Sequence, residues 1–143
     1  NEVENITKKY IKYIKYKYPF PFKKRPNYGS RLLIREHFGK IIHAVLNELN
    51  DWKSKPKIMA IYLLRNMLLY SEEYCTQKTE DILKVLLKLL SDDLVGSIAK
   101  ECCNIIGIYV LPYIWIEYIN DKIKYEIHDN LLPLLYSLLQ YCP

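Results

Sequence analysis

The chain has 143 residues, half of them hydrophobic; that is enough for one domain with a sizeable core and excludes a disordered chain. Four glycines against that apolar content favour helices over a turn-rich β fold. The net charge of +5 is uneven: residues 1–25 hold eight basic side chains against Glu2 and Glu4, and the remainder is near neutral, so the body lacks the basic folded face of a nucleic-acid binder.

Residues 6–18 (ITKKYIKYIKYKY) put Lys8, Lys12 and Lys15 on one helical face and Ile11, Ile14 and Tyr18 on another. This reads as the outer helix of a repeat with solvated lysines; a membrane-surface or nucleic-acid-binding helix and a disordered arm are the alternatives. Pro19, Pro21 and Pro26 break it and make 19–29 a linker. From Ser30, a candidate N-cap, an amphipathic helix runs to Asp51, its stripe formed by Leu33, Phe38, Ile41, Ile42, Val45, Leu46 and Leu49. Gly39 inside it costs about 1 kcal/mol relative to Ala and is read as allowing a neighbouring helix close. A turn at Asn50–Ser54 follows, with Ser54 as the next cap and Pro56 in the first helical turn.

The helix at 56–70, PKIMAIYLLRNMLLY, is apolar on nearly every side, leaving a thin stripe of Lys57, Arg65 and Asn66. It is too short to span a bilayer, so it is expected to be covered on nearly every side by the segments before and after it. Residues 72–76 connect to an amphipathic helix at 77–90, with Ile82, Val85, Leu86, Leu89 and Leu90 opposite Lys78, Asp81, Lys84 and Lys88. Asp92 and Asp93 mark a turn and favour the start of the helix at 94–110. Pro112 opens another helix, His128-Asp129-Asn130 is a cap signal, and Leu131–Tyr141 is the last.

Helix–turn–helix thus recurs three times, with turns at Asp51 and Asp92 41 residues apart. A period near 40 residues with two helices per unit points to an all-α, HEAT- or armadillo-like repeat stack, an α-solenoid segment of about three helix pairs. The expected divisions are a basic N-terminal helix and Pro-rich linker at 1–25, then helix pairs at 26–71, 72–111 and 112–143. A four-helix bundle competes, but its helices need one apolar stripe each, and 56–70 has more. The start at Asn1 without Met, and the end just after an apolar segment, suggest a piece of a longer protein.

No catalytic motif is present: there is no Gly-rich phosphate loop and no nucleophile elbow. His37 and His43 lie about 240° apart around a helix and share no metal. Glu72-Glu73 and Asp92-Asp93 fall at turns, where capping and solvation account for them. Cys75, Cys102, Cys103 and Cys142 show no C-x-x-C spacing and read as reduced thiols of a cytosolic protein, a structural disulfide being the alternative. The candidate partner-binding residues are Arg31, Arg35, Trp52, Lys57, Arg65 and Asn66. Arg31 and Arg35, one turn apart, form a docking patch or a solvated face; Trp52 plugs a gap between repeats or contacts a partner. Lys57, Arg65 and Asn66 are the patch expected on the groove lined by the second helix of each pair.

Three segments carry a resemblance. RPNYGSRLLIREHFGKIIHAVLNELNDW (25–52) has Arg-Pro, Gly-x-Arg-x-Leu and a closing Asp-Trp; LLRNMLLYSEEYCTQKTEDILKVL (63–86) has a Leu-rich helix, an acidic pair and Thr-Gln before a helix; Ile106–Pro112 follows Ile/Val-Gly-x-x-Val-x-Pro, with Trp115 beyond. In order and spacing they resemble the dynein axonemal assembly factor 5 family of HEAT-repeat proteins over about residues 25–119. The resemblance implies a non-enzymatic cytoplasmic scaffold that works with chaperones to pre-assemble outer and inner dynein arms. Its expected partners are dynein chains, chaperones or their co-factors, with no cofactor, no small-molecule substrate, no nucleic acid and no transmembrane segment. The alternative is another helical-repeat adaptor, for transport or for nucleic acid or acidic lipid, acting through the basic arm.

Overall fold

Asn27, placed just after Pro26, starts the first helix. The computed structural model describes residues 23–51 and 53–142, so the helix expected at 6–18 and Trp52 lie outside the described residues. In α1 (Tyr28–Asn50) the Asn27 Oδ1 accepts from the Ser30 N–H at 2.8 Å. The cap is therefore Asn27 and not Ser30, because an extended Asn three residues upstream already satisfies that donor. Helix α2 (Ser54–Ser71) includes Ser54 and has Lys53 at its cap position without a side-chain hydrogen bond. A 3₁₀ segment (Glu72–Lys78) replaces the expected loose connection and leads into α3 (Thr79–Leu89). Then come α4 (Gly96–Tyr109), α5 (Pro112–Tyr125), with Pro112 at its first turn, and α6 (Leu131–Leu139).

The elements form two layers. α2, α4 and α6 pack side by side, and α1, α3 and α5 succeed one another along the second layer. One continuous apolar core runs between them, from Ile42 and Leu64 through Leu86 and Ile106 to Trp115 and Leu138. This is the all-α helical repeat expected from the 41-residue spacing. The stripe of α3 is wider than its sequence pattern suggests, since Leu83 and Leu87 are buried with Ile82, Val85, Leu86 and Leu89. Lys84 and Lys88 face water.

Glycine matters most at Gly107. A methyl group there would collide with the carbonyl oxygen of Leu138, so α4 and α6 meet backbone to backbone. Gly39, by contrast, has nothing within 4 Å of where its Cβ would stand; the close approach expected there does not occur, and the residue lies on the outer face of α1. Asn130 also departs from expectation. Its side chain does not cap α6; Nδ2 donates to the Leu87 carbonyl at 2.8 Å and to Ser91 Oγ at 3.0 Å, tying off the end of α3.

Helix α2 is not covered all round. Ile61, Leu64 and Leu68 are fully buried, whereas Met59 is 75% exposed and Tyr62 and Leu63 are 44% and 45% exposed. These three share a face at i, i+3 and i+4. α1 and α4 shelter the other two sides. The expectation of cover on nearly every side fails because a repeat stack needs only those two contacts.

Candidate functional site

Where the chain leaves α2, Glu72 takes φ 54° and ψ −127°, a region that side-chain-bearing residues rarely adopt and that stores of order 1–3 kcal/mol. Its side chain is fully buried and gathers three arginines. Arg25 binds it two-pronged, Nε to Oε1 at 2.7 Å and a terminal nitrogen to Oε2 at 2.6 Å. Arg35 donates to Oε2 at 3.0 Å and Arg31 lies 3.5 Å from it. Arg35 also reaches Glu73 at 3.4 Å and stacks 4.5 Å from the centre of the Tyr74 ring. Such bidentate, charge-assisted contacts are the strong kind. The cluster fastens the entry to α1 onto the exit from α2.

This placement changes the reading of several residues. Arg31 and Arg35 are mostly buried, at 12% and 14% side-chain exposure; neither forms a solvated face. Glu72 is not solvated either, contrary to what its place in an acidic turn suggests, although Glu73 is partly exposed. Sequence reading missed the cluster because Glu72 lies 41 and 37 residues from Arg31 and Arg35. The available signal was the like-charged pair at i, i+4, a spacing that a shared counter-ion relieves.

Lys57 and Arg65 are turned toward the next helix pair. Lys57 Nζ meets Asp92 Oδ2 at 2.7 Å and Arg65 meets Glu101 Oε2 at 2.6 Å. The Arg65 guanidinium also lies 4.9 Å from the centre of the Tyr62 ring. Asp92 holds the turn before α4, its side chain accepting from the N–H groups of Leu94 and Val95 at 2.8 and 3.1 Å, but the helix itself starts only at Gly96, after Val95, without a side-chain cap. The hydrogen bond from Lys57 holds the Asp92 carboxyl below its ordinary range; burial opposes this, and the two backbone donors add to it. Asn66 is exposed, on the same arc as Met59, Tyr62 and Leu63. The stripe thus splits: its two cations join successive pairs, and its amide faces water beside exposed apolar side chains.

The cysteines behave as small core residues. Cys75, Cys102 and Cys103 are buried free thiols. Burial pushes the Cys75 thiol up to about 12 and raises those of Cys102 and Cys103 as well. Among the described residues, no group of His, Cys, Asp and Glu is placed to hold a metal ion. Among them also, no helix is long and apolar enough to cross a membrane.

The HEAT-repeat domain of dynein axonemal assembly factor 5 matches residues 16–143 as a family model. The chain belongs to this family. Dynein axonemal assembly factor 5 of Homo sapiens is 27% identical over 129 residues, covering 88% of this chain and 15% of the relative. The Mus musculus protein is 29% identical over 122 residues, covering 83% and 14%, and that of Xenopus laevis 28% over 104 residues, covering 70% and 12%. The chain therefore spans about a seventh of the length of these relatives. No solved structure matches it. Within this assembly-factor domain, the three segments that carry the resemblance have structural work. Arg25 and Arg31 of the first meet Glu72 of the second, and Gly107 of the third is where α4 touches α6.

Proposed function

We propose that this chain is a segment of a non-enzymatic, protein-binding scaffold for the cytoplasmic assembly of axonemal dynein arms, acting together with chaperones. The observation that carries the reading is the family match across residues 16–143, supported by a two-layer helical stack that presents long helix faces to partners. The partner-facing surface on this segment is the open arc of α2, with Met59, Tyr62, Leu63 and Asn66, and its occupant is an axonemal dynein chain. Exposed apolar side chains grouped on one face support that choice, whereas Arg31, Arg35, Lys57 and Arg65 serve inside the stack. The test is affinity capture of the full-length protein from cells building axonemes. Dynein heavy or intermediate chains and chaperones should co-purify, and a Met59→Glu/Tyr62→Glu variant should lose the dynein chains. Capture that lacks them in both forms contradicts the proposal.

A further inference from the structure

Between α3 and α5 the second layer opens into a groove of about 490 Å³. Four carboxylates line it: Glu80, Glu117, Asp121 and Glu126. Its two lysines are engaged along their own helices, Lys84 with Glu80 at 2.9 Å and Lys122 with Glu126 at 3.3 Å. Glu117 and Asp121 have no ion pair among the described residues. They stand at i, i+4 on α5, a spacing at which like charges destabilise a helix, and both are exposed to water.

A second observation points to a ligand. Tyr118 forms part of the groove wall and is only 7% exposed, yet its hydroxyl has no hydrogen-bond partner. A buried hydroxyl without a partner carries a free-energy cost unless something occupies the site. The face of its ring already attracts a cation, since Lys122 Nζ lies 5.9 Å from the ring centre. Burial, with Glu80 and Glu126 nearby, pushes the phenol up to about 12, so it stays a neutral donor and acceptor. Tyr125, 85% exposed, supplies a second ring at the rim.

We propose that the α3–α5 groove is a docking site for an arginine- or lysine-bearing segment of a protein partner, recognised by Glu117 and Asp121 together with Tyr118 and Tyr125. Charge complementarity selects the occupant: the lining is net acidic, its own lysines are taken, and aromatic rings flank the unpaired carboxylates. This goes beyond the assembly reading and does not depend on it.

The experiment is fluorescence anisotropy of a fluorescein-labelled hexa-arginine peptide titrated with the whole chain at about 150 mM salt, where long-range surface attraction is screened. Glu117→Gln/Asp121→Asn should weaken binding about tenfold or more, the scale of losing close charge pairs. Tyr118→Phe, which deletes only the hydroxyl, should weaken it roughly threefold to tenfold. Glu48→Gln/Asp93→Asn, which removes two exposed charges elsewhere, should stay within about twofold. Absence of peptide binding, or equal losses in the control variant, overturns the proposal. Deleting residues 1–22 should also leave affinity within about twofold; a rise of about tenfold would mean that the chain's own basic arm occupies the groove and would overturn the assignment to a partner.

Discussion

Removing the Glu72 carboxylate should unfasten the stack. The group is fully buried and holds Arg25, Arg35 and Arg31 at 2.6, 3.0 and 3.5 Å. Glu72→Ala takes from Arg31 and Arg35 the carboxylate they share, and Glu73 reaches Arg35 alone. Breaking a buried pair by deleting one partner costs about 3–5 kcal/mol. The Arg25 share falls at the low end, because that side chain is 35% exposed and screened by water. Backbone strain gives a second, independent reading. Alanine keeps the penalty of φ 54°, while Glu72→Gly relieves it; set against the freedom glycine gains in the unfolded chain, the glycine variant should be about 1 kcal/mol more stable than the alanine variant. Urea denaturation followed by far-ultraviolet circular dichroism measures both differences. A loss below about 1 kcal/mol in Glu72→Ala, or a glycine variant no better than alanine, would refute the reasoning.

Other variants test other parts. Leu64→Ala, at a fully buried position, should lose about 2–5 kcal/mol, whereas Met59→Ala, 75% exposed, should change stability by about 0.5 kcal/mol or less in the same titration. Gly107→Ala should destabilise by about 1–3 kcal/mol or more by forcing α4 from α6, while Gly39→Ala should stabilise by about 0.5–1 kcal/mol, since its Cβ meets nothing and the helix gains propensity. Because Lys57 depresses the Asp92 carboxyl, that group adds stability above its unfolded pKa and loses it as pH falls through its folded one. Acid melts should therefore show a larger loss from neutral pH in the parent chain than in Asp92→Asn. A thiol-reactive dye at mildly alkaline pH should label Cys142 before Cys75, Cys102 and Cys103, with all four titrating only after unfolding.

The stripe of α3, most of that of α1 and the prolines at helix starts were legible in the sequence, because periodic apolar residues and Pro at a first turn constrain the local backbone directly; Leu33 and Ile41, expected on the α1 stripe, are instead exposed. The 41-residue spacing carried the architecture. Two kinds of feature were hidden. The Arg25–Arg31–Arg35–Glu72 cluster joins residues up to 47 positions apart, and no local pattern announces such a contact. The apolar character of Met59, Tyr62 and Leu63 says that these residues favour burial, not that anything in this chain buries them. Lys57 and Arg65 show the converse: charged residues on an apolar helix look like a surface patch, but partners on the next helix pair draw them inward.

The most direct measurement is electron microscopy of axonemes from cells in which the gene for this protein has been disrupted, with dynein heavy chains followed by immunoblotting. An assembly scaffold predicts doublets that form but lack outer and inner dynein arms, and heavy chains depleted from the axoneme. Complete arms and normal heavy-chain content in those cells would contradict the account.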